Sequence, residues 1–271
     1  MKTLLIDLDP RVLTDRRIDV ALDVAGAFGS HLIGLQVTPI DAYASMDGFG
    51  GVFAMPQVLE AVSREEGAIR AAFEERMTRA AMSWEYRHSG TYPAVSVATH
   101  SMLADLAIVG KPRRTNGDRK DRIAHVGELV MASVTPVLAV PPEVGRFDPF
   151  GPALVLWNGS GEAAAAVRGA LPLLRQASDV TILIAEEDSR YELPATGVAE
   201  YLSRHGVRAE IVSLPVRDAD VPNTLLWAIA ERDPAFVVMG AYGHSRFRQW
   251  LLGGVTRRLL ADLPTPLLMA R

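Results

Sequence analysis

An internal repeat is the feature of this sequence that most constrains its fold. The segment ADLAIVG (104–110) followed by TPVLAV (135–140) matches PAFVVMG (234–240) followed by TPLLMA (265–270), at an offset of 130 residues. The first apolar runs of the two copies match at an offset of 150, so the first copy holds 20 extra residues in its middle. A repeat of this kind indicates that one structural unit occurs twice in the chain.

Each copy alternates short apolar runs with amphipathic segments. TLLIDL (3–8) and HLIGLQV (31–37) predict buried strands, and residues 15–29 between them have helical spacing. This alternation, with about five strands in each copy, predicts an α/β fold built on parallel sheets. The boundary falls in PPEVGRFDPFG (141–151), which has the proline, glycine and charge content of a linker.

The extra residues of the first copy predict a loop followed by a helix. The glycine-rich apolar segment 43–56 predicts a loop, either an ordinary connection or a cover over a pocket. Residues 57–88 predict one long amphipathic helix that turns to strand near Trp84, and this helix is a candidate for pairing with a second copy of the chain.

Charge and composition exclude several classes of function. The net charge of −4 argues against general affinity for nucleic acid, which needs a basic surface. The absence of cysteine excludes disulfides and thiolate chemistry. No apolar run approaches the roughly 20 residues of a membrane span, so we expect a cytoplasmic protein. The six histidines lack metal-site spacing, so no metal site is predicted.

A glycine-rich segment in the second copy, GAYGHSRFRQWLLGGVT (240–256), is the strongest candidate for a binding site. Gly240 ends a predicted strand, and Gly253 and Gly254 open a predicted helix, with Arg246 and Arg248 between them. Glycine permits close approach of the backbone to a ligand, and a helix N-terminus attracts anions. The arrangement suits a triphosphate, although it matches neither the P-loop nor the dinucleotide fingerprint.

The turn WNGS (157–160), which follows the first strand of the second copy, can supply the opposite wall of such a pocket. In an open parallel sheet, ligands bind beyond the carboxyl ends of the strands where the winding reverses. The alternative is purely structural: Asn158 or Ser160 caps the helix at 161–176, and the glycines serve only the turns. The spacing alone leaves both interpretations open.

The pattern G-x2-G-x9-G followed by a small residue, here Gly240, Gly243, Gly253 and Gly254, resembles that of the universal stress protein (UspA) superfamily. The repeat extends the resemblance over nearly the whole chain, as in a tandem two-domain member with domains at 1–145 and 150–271. The resemblance implies two five-stranded parallel sheets of order 3-2-1-4-5 with helices on both faces, of the adenine nucleotide alpha hydrolase-like type. It also implies that the halves pack through their last strands.

The resemblance further implies that the second domain binds ATP or another adenine nucleotide, with or without Mg2+. Gly240 and Gly243 would approach ribose and phosphates, and Gly253 and Gly254 would lie at the phosphate end. The predicted binding residues are Asn158, Gly159, Ser160, Gly240, Gly243, His244, Arg246, Gly253, Gly254 and Thr256.

The sequence departs from the family pattern in both halves. Gly254 stands where nucleotide-binding members usually carry Ser or Thr, and Asn158 replaces the commoner Asp. In the first half, Arg113 occupies the place of Gly243, and Ile123 and Ala124 occupy those of Gly253 and Gly254. We therefore predict that the first half is degenerate and binds no nucleotide in the same way.

Three functions follow as hypotheses. The leading one is a regulatory, non-catalytic adenine-nucleotide binder in the stress response, at most a slow ATPase, since no general base is identifiable. The alternative is a scaffold that binds no nucleotide and acts through protein partners, with homodimerisation as one form of partnership. An adenylyl-transferring enzyme is the third, but the HIGH-like or PP-loop motif that it needs is absent.

Overall fold

The computed structural model describes residues 1–8, 14–39, 44–46, 52–54, 56–110, 119–186, 193–216, 220–241 and 254–271. The strands are β1 (Thr3–Asp7), β2 (His31–Val37), β3 (Ala44–Met46), β4 (Val52–Ala54), β5 (Trp84–Ser89), β6 (Leu106–Gly110), β7 (Val137–Val140), β8 (Ala153–Leu156), β9 (Val180–Glu186), β10 (Glu210–Pro215), β11 (Phe236–Gly240) and β12 (Leu267–Ala270). The helices are α1 (Thr14–Phe28), α2 (Pro56–Arg79), α3 (Pro93–His100), α4 (Arg119–Ala132), α5 (Gly161–Leu174), α6 (Ala195–Arg204), α7 (Val221–Arg232) and α8 (Gly254–Asp262).

Ten of these strands form one continuous sheet, in the order β10-β9-β8-β11-β12-β7-β6-β1-β2-β5. Within each half the strands are parallel and follow the order 3-2-1-4-5, which confirms the predicted fold. The halves join where β12 pairs antiparallel with β7, with Leu268 opposite Leu138. The last strands of the two halves therefore form the seam of the molecule.

Helices cover both faces of this sheet, which explains why its strands read as continuous apolar runs rather than as alternating patterns. One apolar core contains Ile18 of α1, Phe73 of α2 and side chains of α5 and α6. The other contains Val97 of α3, Leu129 of α4, Leu259 of α8 and side chains of α7. No helix within the described residues has the length and apolar content needed to cross a membrane.

The pairing of the strands corrects the predicted correspondence of the two halves. Leu4 of β1 lies opposite Leu106, and Ala153 of β8 lies opposite Phe236. Because positions 106 and 236 are equivalent at the offset of 130, Leu4 corresponds to Ala153, and the offset is 153 − 4 = 149. The predicted offset of 150 was wrong by one residue, and Asp9 rather than Leu8 is equivalent to Asn158.

A buried ion pair distinguishes the first half from the second. Arg17 of α1 is 1% exposed, and its Nη1 donates to the backbone oxygen of Asp7 at 2.5 Å and to its Oδ2 at 3.1 Å. At the offset of 149, the equivalent positions in the second half hold Leu156 and Ala166. The two halves thus share a backbone fold, while one has a buried ion pair where the other has two apolar residues.

In the extra segment of the first half, the structure confirms the strand predicted near Trp84, but the long helix ends earlier than predicted and the predicted loop contains two short strands. The long helix ends at Arg79, Ala81 takes a left-handed conformation with φ of 52°, and a strand begins at Trp84. The Trp84 ring packs edge-on against Phe73 at a centroid distance of 5.7 Å, which fixes the return of the chain to the sheet. Within the predicted loop 43–56, the short strands β3 and β4 pair antiparallel.

The segment predicted as a linker is held against α1. The Oδ2 atom of Asp23 accepts hydrogen bonds from the backbone nitrogen of Phe147 at 2.9 Å and from Nε of Arg146 at 3.0 Å. Phe147 is 4% exposed, and its ring lies 5.7 Å from that of Phe236. This segment is therefore an ordered part of the contact between the halves.

Candidate functional site

The candidate site lies at the carboxyl ends of β8 and β11, which are neighbours in the sheet. The helix that follows β8, α5, packs on one face of the sheet, and the helix that follows β11, α8, packs on the other. The chain therefore winds in opposite directions from two adjacent strands. This reversal opens the crevice in which ligands bind to doubly wound sheets.

The turn after β8 forms one wall and is built to start a helix. Gly159 has a positive φ of 72°, a conformation that glycine adopts without strain. Ser160 Oγ accepts a hydrogen bond from the backbone nitrogen of Ala163 at 3.2 Å, so the structure confirms Ser160 as the helix cap. Asn158 Oδ1 accepts from the backbone nitrogen of Ser160 at 3.2 Å, while the residue itself remains exposed.

Trp157 holds this turn in place from the buried side. Its indole nitrogen donates to the backbone oxygen of Leu193 at 3.1 Å, and the Leu193 nitrogen donates to the oxygen of Gly159 at 3.2 Å. Because Trp157 is only 3% exposed, it packs in the core and its ring is covered. Leu193 was not predicted from the sequence, because its contact with Trp157 joins residues 36 positions apart in the chain.

Gly240, at the end of β11, lies directly under the first turn of α5. A Cβ atom at this position would lie 2.3 Å from the nitrogen of Ala163 and 2.6 Å from the carbonyl carbon of Glu162. Both neighbours are backbone atoms, which cannot rotate away. Gly240 therefore has a packing function, which brings strand end and helix start together at the floor of the crevice.

The N-terminus of α8, the helix that follows β11, is the candidate for the other wall and is the better of the two helix starts for an anion. Gly254 is exposed, and a Cβ atom there would meet no heavy atom within 4 Å. The first turn of α8 contains no acidic residue, whereas that of α5 contains Glu162, whose carboxylate would repel a phosphate. Thr256 is 5% exposed and lies on the buried face of α8 with Leu259.

Arg258 links α8 to its neighbour. Its Nε lies 2.9 Å from Oδ2 of Asp262, and its Nη2 donates to Oδ1 of Asn223 in α7 at 3.4 Å. Asn223 in turn donates from its backbone nitrogen and from Nδ2 to the carboxylate of Asp220, which caps α7. Helix α8 is thus joined to α7 through a polar contact as well as through the core.

Four predicted site residues fall outside the described part of the chain: Gly243, His244, Arg246 and Gly253. Their roles stay predictions. In the first half, Arg113 also lies outside it, but Ile123 and Ala124 lie within α4. Helix α4 thus begins before the positions that match the glycine pair, whereas α8 begins at Gly254. No group of three or more acidic or histidine side chains among the described residues is arranged to hold a metal ion.

Comparisons with known proteins agree with this architecture. Residues 149–271 match the family model described as the universal stress protein family. No curated protein matches the sequence. The chain is similar in structure to a universal stress protein from Archaeoglobus fulgidus, with a TM-score of 0.76 and 14% identity over 99% of this chain and 96% of that one.

Two solved structures from Pseudomonas aeruginosa also match along the full length. One is a functionally unknown protein, with a TM-score of 0.60 and 16% identity over 100% of this chain and 92% of that one. The other is a candidate universal stress protein, with a TM-score of 0.59 and 16% identity over 100% of this chain and 93% of that one. Residues 149–271 therefore match the universal stress protein family, and over its whole length the chain has the fold of the universal stress protein from Archaeoglobus fulgidus.

Proposed function

We propose that the second half binds an adenine nucleotide, foremost ATP, in the crevice between β8 and β11, and that this binding regulates a role in the stress response. The observation that carries the proposal is that the helices following the neighbouring strands β8 and β11 pack on opposite faces of the sheet, and that only the second of them, α8, begins without an acidic residue in its first turn. Such a site suits a ligand that has one anionic end and one neutral end.

The proposed orientation follows from the charges of the two walls. The phosphates lie at the N-terminus of α8, where Gly254 leaves open space and the helix dipole is favourable. The base and ribose lie towards the turn at 158–160, where the side-chain amide of Asn158 is exposed. We assign no residue to Mg2+, because no described cluster of carboxylates suits it.

We further propose that the nucleotide acts as a regulator rather than as a substrate. The exposed side chains at the described walls include neither a histidine nor a pair of carboxylates suited to general acid–base catalysis. Binding, rather than turnover, would instead shift the conformation or the partners of the protein. We expect hydrolysis, if present, to be slow relative to nucleotide exchange.

The test begins with freshly purified protein, from which bound ligand is released by mild acid and identified by mass spectrometry. ATP is then titrated by calorimetry into the wild type, Gly254→Asp and the matched control Gly254→Ala. The aspartate places a negative charge at the start of α8 and should weaken binding about tenfold or more. The alanine fits the open space and should bind like the wild type.

The outcome that contradicts the proposal is equally definite. Protein that carries no adenine nucleotide and gives no heat with ATP at about 1 mM, the limit of weak specific binding, would refute it. Equal affinity of the aspartate and alanine variants would refute the placement of the phosphates at α8. Gly254→Ser adds the hydroxyl that is usual in nucleotide-binding members, and we expect it to bind ATP more tightly.

The alternative, a scaffold without nucleotide, has its own support in the structure. Gly240 has a packing function, Ser160 caps α5, and Thr256 is buried, so several predicted ligand contacts already serve the fold. If nucleotide binding is absent, these contacts account for the same residues. The function would then depend on protein partners alone.

A further inference from the structure

A cluster of exposed apolar side chains lies on the first half, where helices α3 and α4 end. Leu103 is 95% exposed, Val134 is 80% exposed and Met102 is 56% exposed. Met102 and Val134 also line one wall of a groove of about 300 Å³. The other wall belongs to α5 and includes Arg168 and Pro172. A protruding apolar surface and a groove therefore lie side by side at the junction of the two halves.

The apolar surface continues along both helices. Val95 and Met102 are seven residues apart, which places them on one side of α3 and of the turn that follows it. Met131 lies in the last turn of α4. The Tyr92 hydroxyl donates to Oε2 of Glu128 at 3.1 Å and so joins the start of α3 to α4. We call the six exposed apolar residues of this region the α3–α4 face: Tyr92, Val95, Met102, Leu103, Met131 and Val134.

The α3–α4 face is large enough to form the centre of a stable interface. Its six side chains are each more than a third exposed. Together they present on the order of 500 Å² of apolar surface, the upper range for the largest patch of a monomer. A stable dimer buries about 800 Å² per partner, and its apolar centre is only a part of that area. The face and its polar surroundings therefore suffice for such a contact.

The second half shows that the fold does not require this exposed apolar surface. The backbone nitrogen of Asp105 donates to the oxygen of Thr3, and that of Ala235 donates to the oxygen of Pro152, both at 2.8 Å. The segments that enter β6 and β11 are therefore equivalent at the offset of 130. At this offset, two residues of the face correspond to charged residues and two to smaller ones: Met102 to Arg232, Leu103 to Asp233, Met131 to Ala261 and Val134 to Pro264.

The shape and the charges of the α3–α4 face fit a second copy of the same chain. A twofold axis beside the groove would set the protruding Leu103 of each copy into the groove of the other, so that one surface supplies both parts of the contact. The charged side chains that line the groove are one of each sign, Arg168 and Asp105, and both are exposed. The same axis would bring Arg168 of one copy towards Asp105 of the other, so the two copies would meet without an excess of like charge.

We propose that the α3–α4 face joins two copies of this chain into a symmetric dimer. An isologous contact of this kind closes at two chains and does not continue into a filament. Because the equivalent positions of the second half are charged or small, the chain repeats its fold without repeating this face. The proposal does not depend on nucleotide binding, since the face and the groove lie outside the crevice between β8 and β11.

Sedimentation velocity of the full chain at about 1 to 100 µM tests the proposal, and we expect a monomer–dimer equilibrium with a Kd of about 10 µM or tighter. The double variant Met102→Arg with Leu103→Asp places on the face the residues that the second half has at the equivalent positions. It should weaken dimerisation by about a hundredfold or more, because each new charge enters the apolar contact twice. Val134→Asp, beyond the end of the other helix, should act in the same direction.

The matched control is Leu59→Asp, which places a charge on an exposed leucine of α2, on the opposite face of the sheet. Helix α2 is the other candidate for pairing with a second copy, and this variant should dimerise like the wild type. All three variants change exposed residues, so they should keep the unfolding temperature of the wild type.

A wild type that stays monomeric at about 100 µM would overturn the proposal and leave the face to a different protein. Dimerisation that survives both variants of the face would overturn it as well. Loss of the dimer in Leu59→Asp would assign the contact to α2 instead.

Discussion

The contact of Gly240 with α5 gives the most direct test of the geometry at the candidate site. In Gly240→Ala, the new Cβ would lie 2.3 Å from the nitrogen and 2.8 Å from the Cα of Ala163, against an ordinary separation of at least 3.4 Å. The first turn of α5 must move by about 1 Å, because none of the atoms in contact belongs to a side chain that can rotate. Overpacking of this kind costs about 1–3 kcal/mol of unfolding free energy.

The measurement compares the unfolding temperature of this variant with that of Gly254→Ala, which introduces the same methyl group at the start of α8. For a chain of this size, a loss of 1–3 kcal/mol lowers the unfolding temperature by about 2–10 °C. Gly254→Ala meets no neighbour and replaces a flexible residue at a helix start, so it should be neutral or stabilising by up to about 1 kcal/mol. Equal unfolding temperatures for the two variants would refute the packing function of Gly240.

Two further predictions concern the seam and the first-half core. Gly169→Ala would place a Cβ 2.4 Å from Cγ of Pro136, so we expect it to lower the unfolding free energy by about 1–2 kcal/mol. Pro136→Ala removes the clashing atom and should restore this loss in a double-mutant cycle measured by urea unfolding. Additive losses for the two substitutions would contradict the contact. Arg17→Ala removes a partner of the buried carboxylate of Asp7 and should cost about 3–5 kcal/mol of unfolding free energy. The double variant with Asp7→Leu, which introduces the residues found at the equivalent positions of the second half, should cost less than this single change.

The sequence predicted the fold because its strongest signals are periodic. Apolar runs alternate with amphipathic segments in both copies of the repeat, so the pattern in one half supports the interpretation of the other. The register of the first strands was missed by one residue, since a run of consecutive apolar residues in a sheet buried on both faces looks the same after a shift. Only the pairing of Leu4 with Leu106 and of Ala153 with Phe236 resolves it.

The end of the long helix was missed for a related reason. The helical spacing of α2 continues past Arg79, and no glycine or proline marks the stop; a left-handed Ala81 and the packing of Trp84 on Phe73 provide it. These are tertiary effects that override local preference.

At the site, the sequence identified which segments lie together but not what each residue does there. A glycine at a strand end permits the close approach of either a ligand or a neighbouring backbone, so the sequence alone does not distinguish the two. The short distance from Gly240 to Ala163 shows that here it is a backbone. Ser160 likewise fitted both a cap and a ligand contact, and the structure shows the cap. The sequence analysis did not use Glu162, although its acidic side chain in the first turn of α5 makes that helix start less favourable for an anion than the start of α8.

The antiparallel pairing of β7 with β12 has a consequence for how this chain assembles and evolves. Two separate subunits joined in this way would dissociate on dilution, but here the connection between β7 and β8 keeps the partner strands at a fixed and high effective concentration. In a symmetric homodimer every substitution at the seam occurs twice. In this chain each occurs once, so the two halves can change independently on either side of the seam.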